Sequence, residues 1–367
     1  MKLSIQRETL LRPLQVASSV VERRQTLPVL SNVLVSCRNN TLTLTGTDLE
    51  VEMVAKIGLD DGAEEGETTL PARKILDICR ALPEAATLNF STDGDKALIR
   101  SGKSRFTLSV LPASDFPNIE PLVSPFEFSI SQKDLKSLIE QTQFSMAQQD
   151  VRYYLNGLML ELTPSCLRAV ATDGHRLAIS ETDADVQVTE NRQIIVPRKG
   201  VTELARLLED SESQIRLQIG ENHIKVDLPD ISFTSKLIDG KYPDYQQVIP
   251  ANPSKIATCD RQELYQAFAR ASVLSNEKYR GMRVQLTNNQ LKATVHNPEQ
   301  EEAEEELSVK YQGDDFEIGF NVSYFIDALA AIKEEQVQIQ FTDSNHSCLV
   351  NGLDDKASRY VIMPMRL

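Results

Sequence analysis

The chain has 367 residues, 41% of them hydrophobic and 25% charged, with a formal net charge of −14. That length exceeds what one compact core usually holds, so two or three domains are expected. No apolar run approaches the ~18 residues needed to span a bilayer as a helix, and the net acidity argues against a protein that holds nucleic acid by bulk charge alone.

The N-terminal MKLSIQRETLLRPL interrupts its apolar residues with charges and does not read as a secretory leader. The five cysteines (Cys37, Cys79, Cys166, Cys259 and Cys348) are scattered and never spaced Cys-x-x-Cys. Neither a disulfide framework nor a zinc site is expected, and a reducing cytoplasmic setting fits.

Leu10, Leu14, Ala17 and Val21 recur at helical spacing and predict a first helix. After the loop VVERRQTLP, two alternating strands follow in NVLVSCRNNTLTLTGTDLEVEM from Asn32. TTLPARKILDICRAL then runs from a short strand into a second helix. Its wheel sets Ile75, Ile78, Cys79 and Leu82 against Arg73, Asp77 and Arg80. KSRFTLSV, Lys103 to Val110, reads as an edge strand that needs a partner. The Pro-rich FPNIEPLVSPF near residue 121 reads as a boundary.

The order then recurs twice. Leu135, Leu138, Ile139 and Thr142 mark a helix, followed by the loop MAQQDVRYYLNG and the strand pair NGLMLELTPSCLRAVATDGHRLAI. IIVPRKGVTELARLL leads into a helix with Arg198, Lys199, Thr202 and Arg206 opposite Leu204, Leu207 and Leu208. YPDYQQVIPANP near residue 245 reads as the second boundary. The third copy has Leu264, Ala267, Phe268 and Ala271 at helical spacing, the loop SNEKYRGM, the strand pair from Gly281, and a second helix with Ser323 and Asp327 where the others carry cations.

Asp48, Asp173 and Asn297 lie 125 and 124 residues apart, and Phe106, Phe233 and Tyr360 lie 127 and 127 apart. Such a period is too long for a solenoid unit. It predicts three similarly built α+β domains, 1–121, 129–244 and 245–367, each with two helices able to pack on one face of a sheet.

The stretch ATDGHRL raises the question of an acid–base couple, Asp173 with His175. The repeats favour a turn instead. Asp48 occupies the matching place with Leu49 and Glu50 after it, and the third copy reads His296-Asn297. What is shared is a turn that uses Asp or Asn. No phosphate-loop, HExxH, GxSxG or EF-hand pattern occurs, so no catalytic residue, metal or cofactor is assigned. Cations near the helix starts and in the loops suit phosphate contacts that do not read bases. The acidic block PEQEEAEEE, Pro298 to Glu306, is either a solvated face or a contact surface.

The motifs LTGTDLE, TLPARK, FSMAQQDVRYYLNG, VATDGHRLA, IVPRKG, FTSKLIDG, LSNEKYRG, NPEQEEAEE, IGFNVSY and VIMPMRL resemble the bacterial DNA polymerase III beta subunit family over essentially the whole chain. The resemblance implies a sliding clamp without catalysis of its own. Its fold would be a dimeric head-to-tail ring, helices inside and sheets outside, encircling double-stranded DNA irrespective of sequence. Six domains with two inward helices each would close a hole roughly 20–28 Å wide. Partners implied are the polymerase III alpha subunit, the clamp loader, other polymerases and repair proteins, with no membrane.

By resemblance and by the wheel, Arg24, Arg73, Arg80, Gln149, Tyr153, Tyr154, Arg198 and Lys199 would face DNA. The subunit joint would set Lys74, Lys96, Lys103, Arg105, Phe106 and Leu108 against Val273, Leu274, Glu299, Glu301, Glu302, Glu304 and Glu305. By resemblance a partner-peptide cleft is lined by Leu155, Thr172, Gly174, His175, Arg176, Leu177, Pro243, Val248, Ser347, Val361, Met363, Pro364, Met365 and Arg366. Leu, Val and Met offer an adaptable apolar wall, and His175 or Arg176 would orient a polar peptide group. Some family members carry basic residues just before the equivalent of Val248, where this chain has Gln246 and Gln247.

Overall fold

Each repeat is laid down in one order: strand, helix, four strands, helix, three strands. The first comprises β1 (Lys2–Gln6), α1 (Arg7–Ser19), β2 (Asn32–Arg38), β3 (Thr41–Thr47), β4 (Val51–Gly58), β5 (Gly66–Pro71), α2 (Ala72–Ala81), β6 (Thr87–Asp93), β7 (Lys96–Ser101) and β8 (Ser104–Ser109). The second comprises β9 (Phe126–Ser131), α3 (Gln132–Glu140), β10 (Gly157–Thr163), β11 (Cys166–Thr172), β12 (Arg176–Asp183), β13 (Arg192–Pro197), α4 (Arg198–Leu207), β14 (Gln214–Ile219), β15 (His223–Asp227) and β16 (Ile231–Lys236). The third comprises β17 (Lys255–Asp260), α5 (Arg261–Ser272), β18 (Gly281–Thr287), β19 (Gln290–His296), β20 (Glu302–Ser308), β21 (Phe316–Asn321), α6 (Val322–Ala331), β22 (Gln336–Phe341), β23 (Cys348–Gly352) and β24 (Ser358–Ile362). The computed structural model describes residues 1–22, 27–117, 126–186, 188 and 190–366. The boundary expected near residue 121 lies outside them.

Helical spacing marks the buried faces, although Val21 and Thr142, expected within α1 and α3, are buried just past the ends of those helices. Helix α1 buries Leu10, Leu14 and Ala17, and α5 buries Leu264, Ala267, Phe268 and Ala271. Two helices of the third repeat are capped by side chains: Asp260 accepts from the Glu263 amide at the start of α5, and Asn321 from the Ser323 amide at the start of α6. In the first repeat, α1 lies directly on β3. A Cβ at Gly46 would sit 1.8 Å from the Ala17 carbonyl oxygen, so only glycine admits this approach.

The strands form two four-stranded and two eight-stranded sheets. Each eight-stranded sheet joins half of one repeat to half of the next. The order β5-β2-β3-β4-β16-β15-β14-β9 has its seam at β4–β16, and β13-β10-β11-β12-β24-β23-β22-β17 has its seam at β12–β24. Both seams are antiparallel, with Met53 opposite Phe233 and Ala178 opposite Tyr360. These seams explain why contacts divide the chain differently from the repeats. One compact unit is 1–133 with 199–237, and the other is 134–198 with 238–367. The middle repeat is shared because its two halves hydrogen-bond to different neighbours.

The first unit has its main apolar core between α1, α2 and the first repeat's sheets, with Leu14, Ala17, Ile75, Cys79 and Leu88 among its buried members. The second unit has a core around Phe268, Phe320, Phe325 and Phe341, whose rings pack edge-on and tilted.

Glu52 lies at the β4–β16 seam opposite Thr234, which in turn faces Lys225. Burial pushes its carboxyl up to about 7, and Lys225 opposes this only in part. The folded chain therefore keeps a proton that an unfolded glutamate, with an ordinary value of 4.5, releases. Stability from this group is full below about pH 4.5 and is lost as pH rises through about 7. Glu52→Gln is expected to raise the unfolding free energy at pH 8 by at most about 3 kcal/mol, read as a higher urea midpoint, and to leave both nearly unchanged at pH 4. Equal midpoints for both proteins at pH 8 would contradict the assignment.

Candidate functional site

The turn at Thr172–Leu177 is built by its own side chains. Asp173 Oδ1 accepts from the His175 and Arg176 amides at 2.9 and 3.0 Å, while the Thr172 hydroxyl donates to the Arg176 carbonyl at 2.6 Å. The first repeat reproduces this. Asp48 Oδ1 accepts from the Glu50 and Val51 amides at 2.9 and 2.7 Å, and Thr47 donates to the Val51 carbonyl. Asn297 accepts from the Glu301 amide in the third. The carboxylate of Asp173 is thus occupied in holding a turn and an arginine, and the His175 ring is left exposed. Gly174 has φ +89°, and a Cβ there would lie 2.9 Å from the Arg152 guanidinium. Leu49 occupies the same turn position in the first repeat with φ +77°.

Arg176 differs from the expectation that it orients a bound peptide group. Its Nε donates to Asp173, Nη1 to Asp327 on α6, and Nη2 to the Phe144 carbonyl at 2.7 Å. Its guanidinium also lies over the Tyr324 and Phe144 rings, 4.7 and 5.5 Å from their centroids. The side chain is only 14% exposed. It acts as a brace beneath the turn. Asp327, which the wheel puts on the outward face of α6, is its counter-ion.

The structure brings several cleft candidates together. Leu155, Leu177 and Val361 are buried in one cluster with Met159, Tyr242 and Tyr245, and Val248 packs against it. Leu177 pairs directly with both Thr172 and Val361. Met363 extends this edge by donating its amide to the His175 carbonyl at 3.0 Å. Pro243 and Arg366 are exposed, while Ser347, Pro364 and Met365 are half-buried.

Spacing alone does not reveal how Val248 is held. The Tyr245 hydroxyl donates to Glu161 at 2.8 Å and accepts from Arg168 at 2.9 Å; Gln193 donates to Glu161, and Arg168 to Glu181. Burial would raise the Glu161 carboxyl, but hydrogen bonds from Gln193, Tyr245 and Arg168 hold it below the usual range. Within YPDYQQVIPANP, the segment expected to hold the second boundary, Tyr242 and Tyr245 are only 3% and 6% exposed. Gln247 donates to Asp244 at 2.9 Å.

The DNA-facing candidates separate into two kinds. Arg73 and Arg80 stand exposed on α2, and among the described residues no carboxylate lies within ion-pair distance of either. Gln149 and Tyr153 are also exposed, with Tyr154 edge-on to Tyr153. Lys199 is instead paired with Glu22 and Asp48, which keep its ammonium protonated despite burial. Arg198 is half-buried and donates to the Met146 carbonyl at 3.0 Å. The helical wheel groups these two with the free cations; tertiary contacts commit them to their own chain. Arg24 lies outside the described residues.

Strands β8 and β20 are free edges of the two four-stranded sheets. On β8, Arg105 is exposed, Phe106 half-buried and Leu108 buried; Lys103 just before it, Lys96 at the start of β7 and Lys74 on α2 are also exposed. On β20, Glu302 and Glu304 are exposed beside His296 and Lys292, and Glu305 receives two hydrogen bonds from Arg270 at 2.8 and 2.7 Å. Glu299 and Glu301 are exposed, the latter accepting from Asn297. Val273 is 76% exposed, while Leu274 packs on the core.

Three family models match in succession: the N-terminal domain of the DNA polymerase III beta subunit over residues 1–120, its central domain over 129–244 and its C-terminal domain over 246–366. The chain belongs to the DNA polymerase III beta subunit family. It is 54% identical to the beta sliding clamp of Pseudomonas aeruginosa and 52% identical to that of Escherichia coli K12, each over 367 residues and all of both chains. The crystal structure of the P. aeruginosa DNA polymerase III subunit beta superposes with a TM-score of 0.98 at 53% identity, with full coverage of both chains. The family function is that of a processivity clamp that is not itself a catalyst. Among the described residues no helix is long and apolar enough to cross a membrane.

If Arg176 is a brace, Arg176→Ala should destabilise the unit containing it by about 3 kcal/mol, because two carboxylates and a carbonyl lose their donor. Arg176→Lys should recover little of this, since an ammonium cannot reproduce the fork or the stacking. Urea unfolding reads both. An unchanged midpoint for Arg176→Ala would mean the side chain is not structural.

Proposed function

We propose that the chain works as a head-to-tail homodimer that closes around duplex DNA in the cytoplasm, with domains 1–121, 129–244 and 245–367. The observation that carries this reading is the repetition of the seam. Strands β4, β12 and β20 are equivalent, as are β8, β16 and β24. The chain pairs β4 with β16 and β12 with β24, and leaves β20 and β8 as edges. An unlike pair of edges on identical chains closes a ring when the rotation fits.

The internal seams also supply the register. Phe233 opposes Met53 and Tyr360 opposes Ala178, so Phe106 should oppose Ala303 of the second copy. Ser232 opposes Val54 and Arg359 opposes Ile179, so Arg105 should oppose Glu304. Alternation agrees: Phe106 and Ala303 are both half-buried, while Arg105 and Glu304 are both exposed. Lys103 and Arg105 then meet the acidic strand, and Val273 and Leu274 lie beside Phe106 and Leu108. Exposed ion pairs of this kind add little stability each; their use is register.

DNA is held by enclosure, with weak phosphate contacts from Arg73 and Arg80 and from the loop carrying Gln149 and Tyr153. The cluster of Leu155, Leu177, Val248 and Val361 takes a short apolar peptide from the polymerase alpha subunit, the clamp loader, or other polymerases and repair proteins. His175, whose ring is exposed, rather than Arg176, is the group available to a polar part of that peptide.

Opposed residues in an antiparallel pair lie with Cβ atoms about 4.5–5.5 Å apart, close to disulfide reach. Arg105→Cys with Glu304→Cys should therefore give a covalent dimer on oxidation, and Arg105→Cys with Glu305→Cys should not. Once loaded, the crosslinked dimer should stay on closed circular DNA and leave when the circle is cut. Equal retention on linear and circular DNA would overturn enclosure, and a chain that stays monomeric at micromolar concentration would overturn the ring.

A further inference from the structure

The C-terminal tail borders two concavities. On one side Met363 is tied to the turn of the peptide cleft through the His175 carbonyl. Two residues on, the Met365 amide donates to the Gly319 carbonyl of β21 at 2.7 Å. In extended chain these residues are only about 7 Å apart. Beyond Met365 lies a cavity of about 500 Å³ on the third repeat's sheet, lined by Tyr279, Arg283, His296, Met365 and Arg366 among others.

Its chemistry differs from that of the cleft. Tyr279 is 55% exposed and offers an aromatic wall. Arg283 meets Glu317 only loosely, at 3.4 Å with both side chains about half exposed. His296 lies 3.6 Å from Glu302. Arg366 has no carboxylate within ion-pair distance among the described residues. A chain with a net charge of −14 thus sets two arginines, Arg283 and Arg366, at an open pit beside its apolar cleft.

We infer that this pit is an accessory subsite for an acidic residue flanking the apolar peptide docked in the cleft. The inference rests on the cleft reading above. The apolar residues of the peptide are held by the Leu155–Leu177–Val361 wall. The flanking carboxylate crosses the tail at Met365 and meets Arg366 and Arg283, with its methylene groups against Tyr279. Partners with an acidic flank are thereby favoured over partners with the same apolar anchor and a neutral flank.

Short synthetic peptides with one shared Leu-Leu-Phe anchor and Asp-Asp or Asn-Asn flanks, placed at either end, test this by fluorescence anisotropy. With the wild-type chain, Asp-Asp at one end should bind about two- to five-fold more tightly than Asn-Asn, and less so at high salt. Arg283→Glu, on the exposed rim and outside the cleft, should abolish or reverse that preference while leaving the Asn-Asn peptide unchanged. His296→Glu should do the same independently. Equal affinity of both flanks for the wild-type chain at both ends overturns the subsite, and so does a parallel loss of both peptides in the two variants. Failure of every peptide to bind the wild-type chain overturns the cleft reading instead, so the two failures are distinct.

Discussion

The hydrogen-bonded seam between consecutive repeats is the constraint on which the rest of the structure depends. A sheet edge carries unpaired amides and carbonyls, and each repeat has edges to satisfy. Pairing β4 with β16 and β12 with β24 satisfies two sets within the chain. It also makes each half of the middle repeat a partner of a different neighbour, which is why the compact units cut across that repeat. Of the strands equivalent to these, β8 and β20 are left as edges, and they differ in charge. In the proposed ring the basic edge of one chain meets the acidic edge of the other.

The same local device is put to different uses in different repeats. Asp48 and Asp173 each cap a turn by accepting two backbone amides. In the first repeat Asp48 also pairs with Lys199 of α4. In the second, Asp173 holds Arg176, which reaches Asp327 and Phe144 and so ties β12 to elements far away in sequence. A turn beside the apolar cluster is thereby made rigid on its inner side and left with an exposed imidazole on its outer side. The Tyr245–Glu161–Arg168 contacts fix the opposite side, where Val248 packs. The apolar wall is preorganised by polar contacts that would not face a ligand.

Charge is handled in the same economical way. Cations that the wheel groups together divide by what lies within reach: Lys199 and Arg198 bind their own chain, while Arg73 and Arg80 stay exposed. On the acidic strand, Glu305 is committed to Arg270 and Glu304 pairs with Lys292 at 2.7 Å, whereas Glu302 lies 3.6 Å from His296; Glu302 and Glu304 both face solvent. A net-acidic chain can therefore present cations locally, because pairing removes some charges and leaves others to act.

Much of this was legible in the residues themselves. The recurrence of Asp48, Asp173 and Asn297 set out three repeats, because each copy turns between its strands on a short side-chain acceptor, Asp in two copies and Asn in the third. Helical spacing marked the buried faces of α1 and α5, and the alternation and charge of KSRFTLSV marked an edge. Resemblance, rather than spacing, brought Leu155, Val248 and Val361 into one expected site. Periodicity reports which side of an element is buried but not which distant element meets it. The seam pairings, the capture of Arg176 by Asp327, the withdrawal of Lys199 by Glu22 and Asp48, and the burial of Tyr242 and Tyr245 were decided only in the tertiary structure. Each joins residues far apart in sequence, and no local pattern records that distance of closest approach.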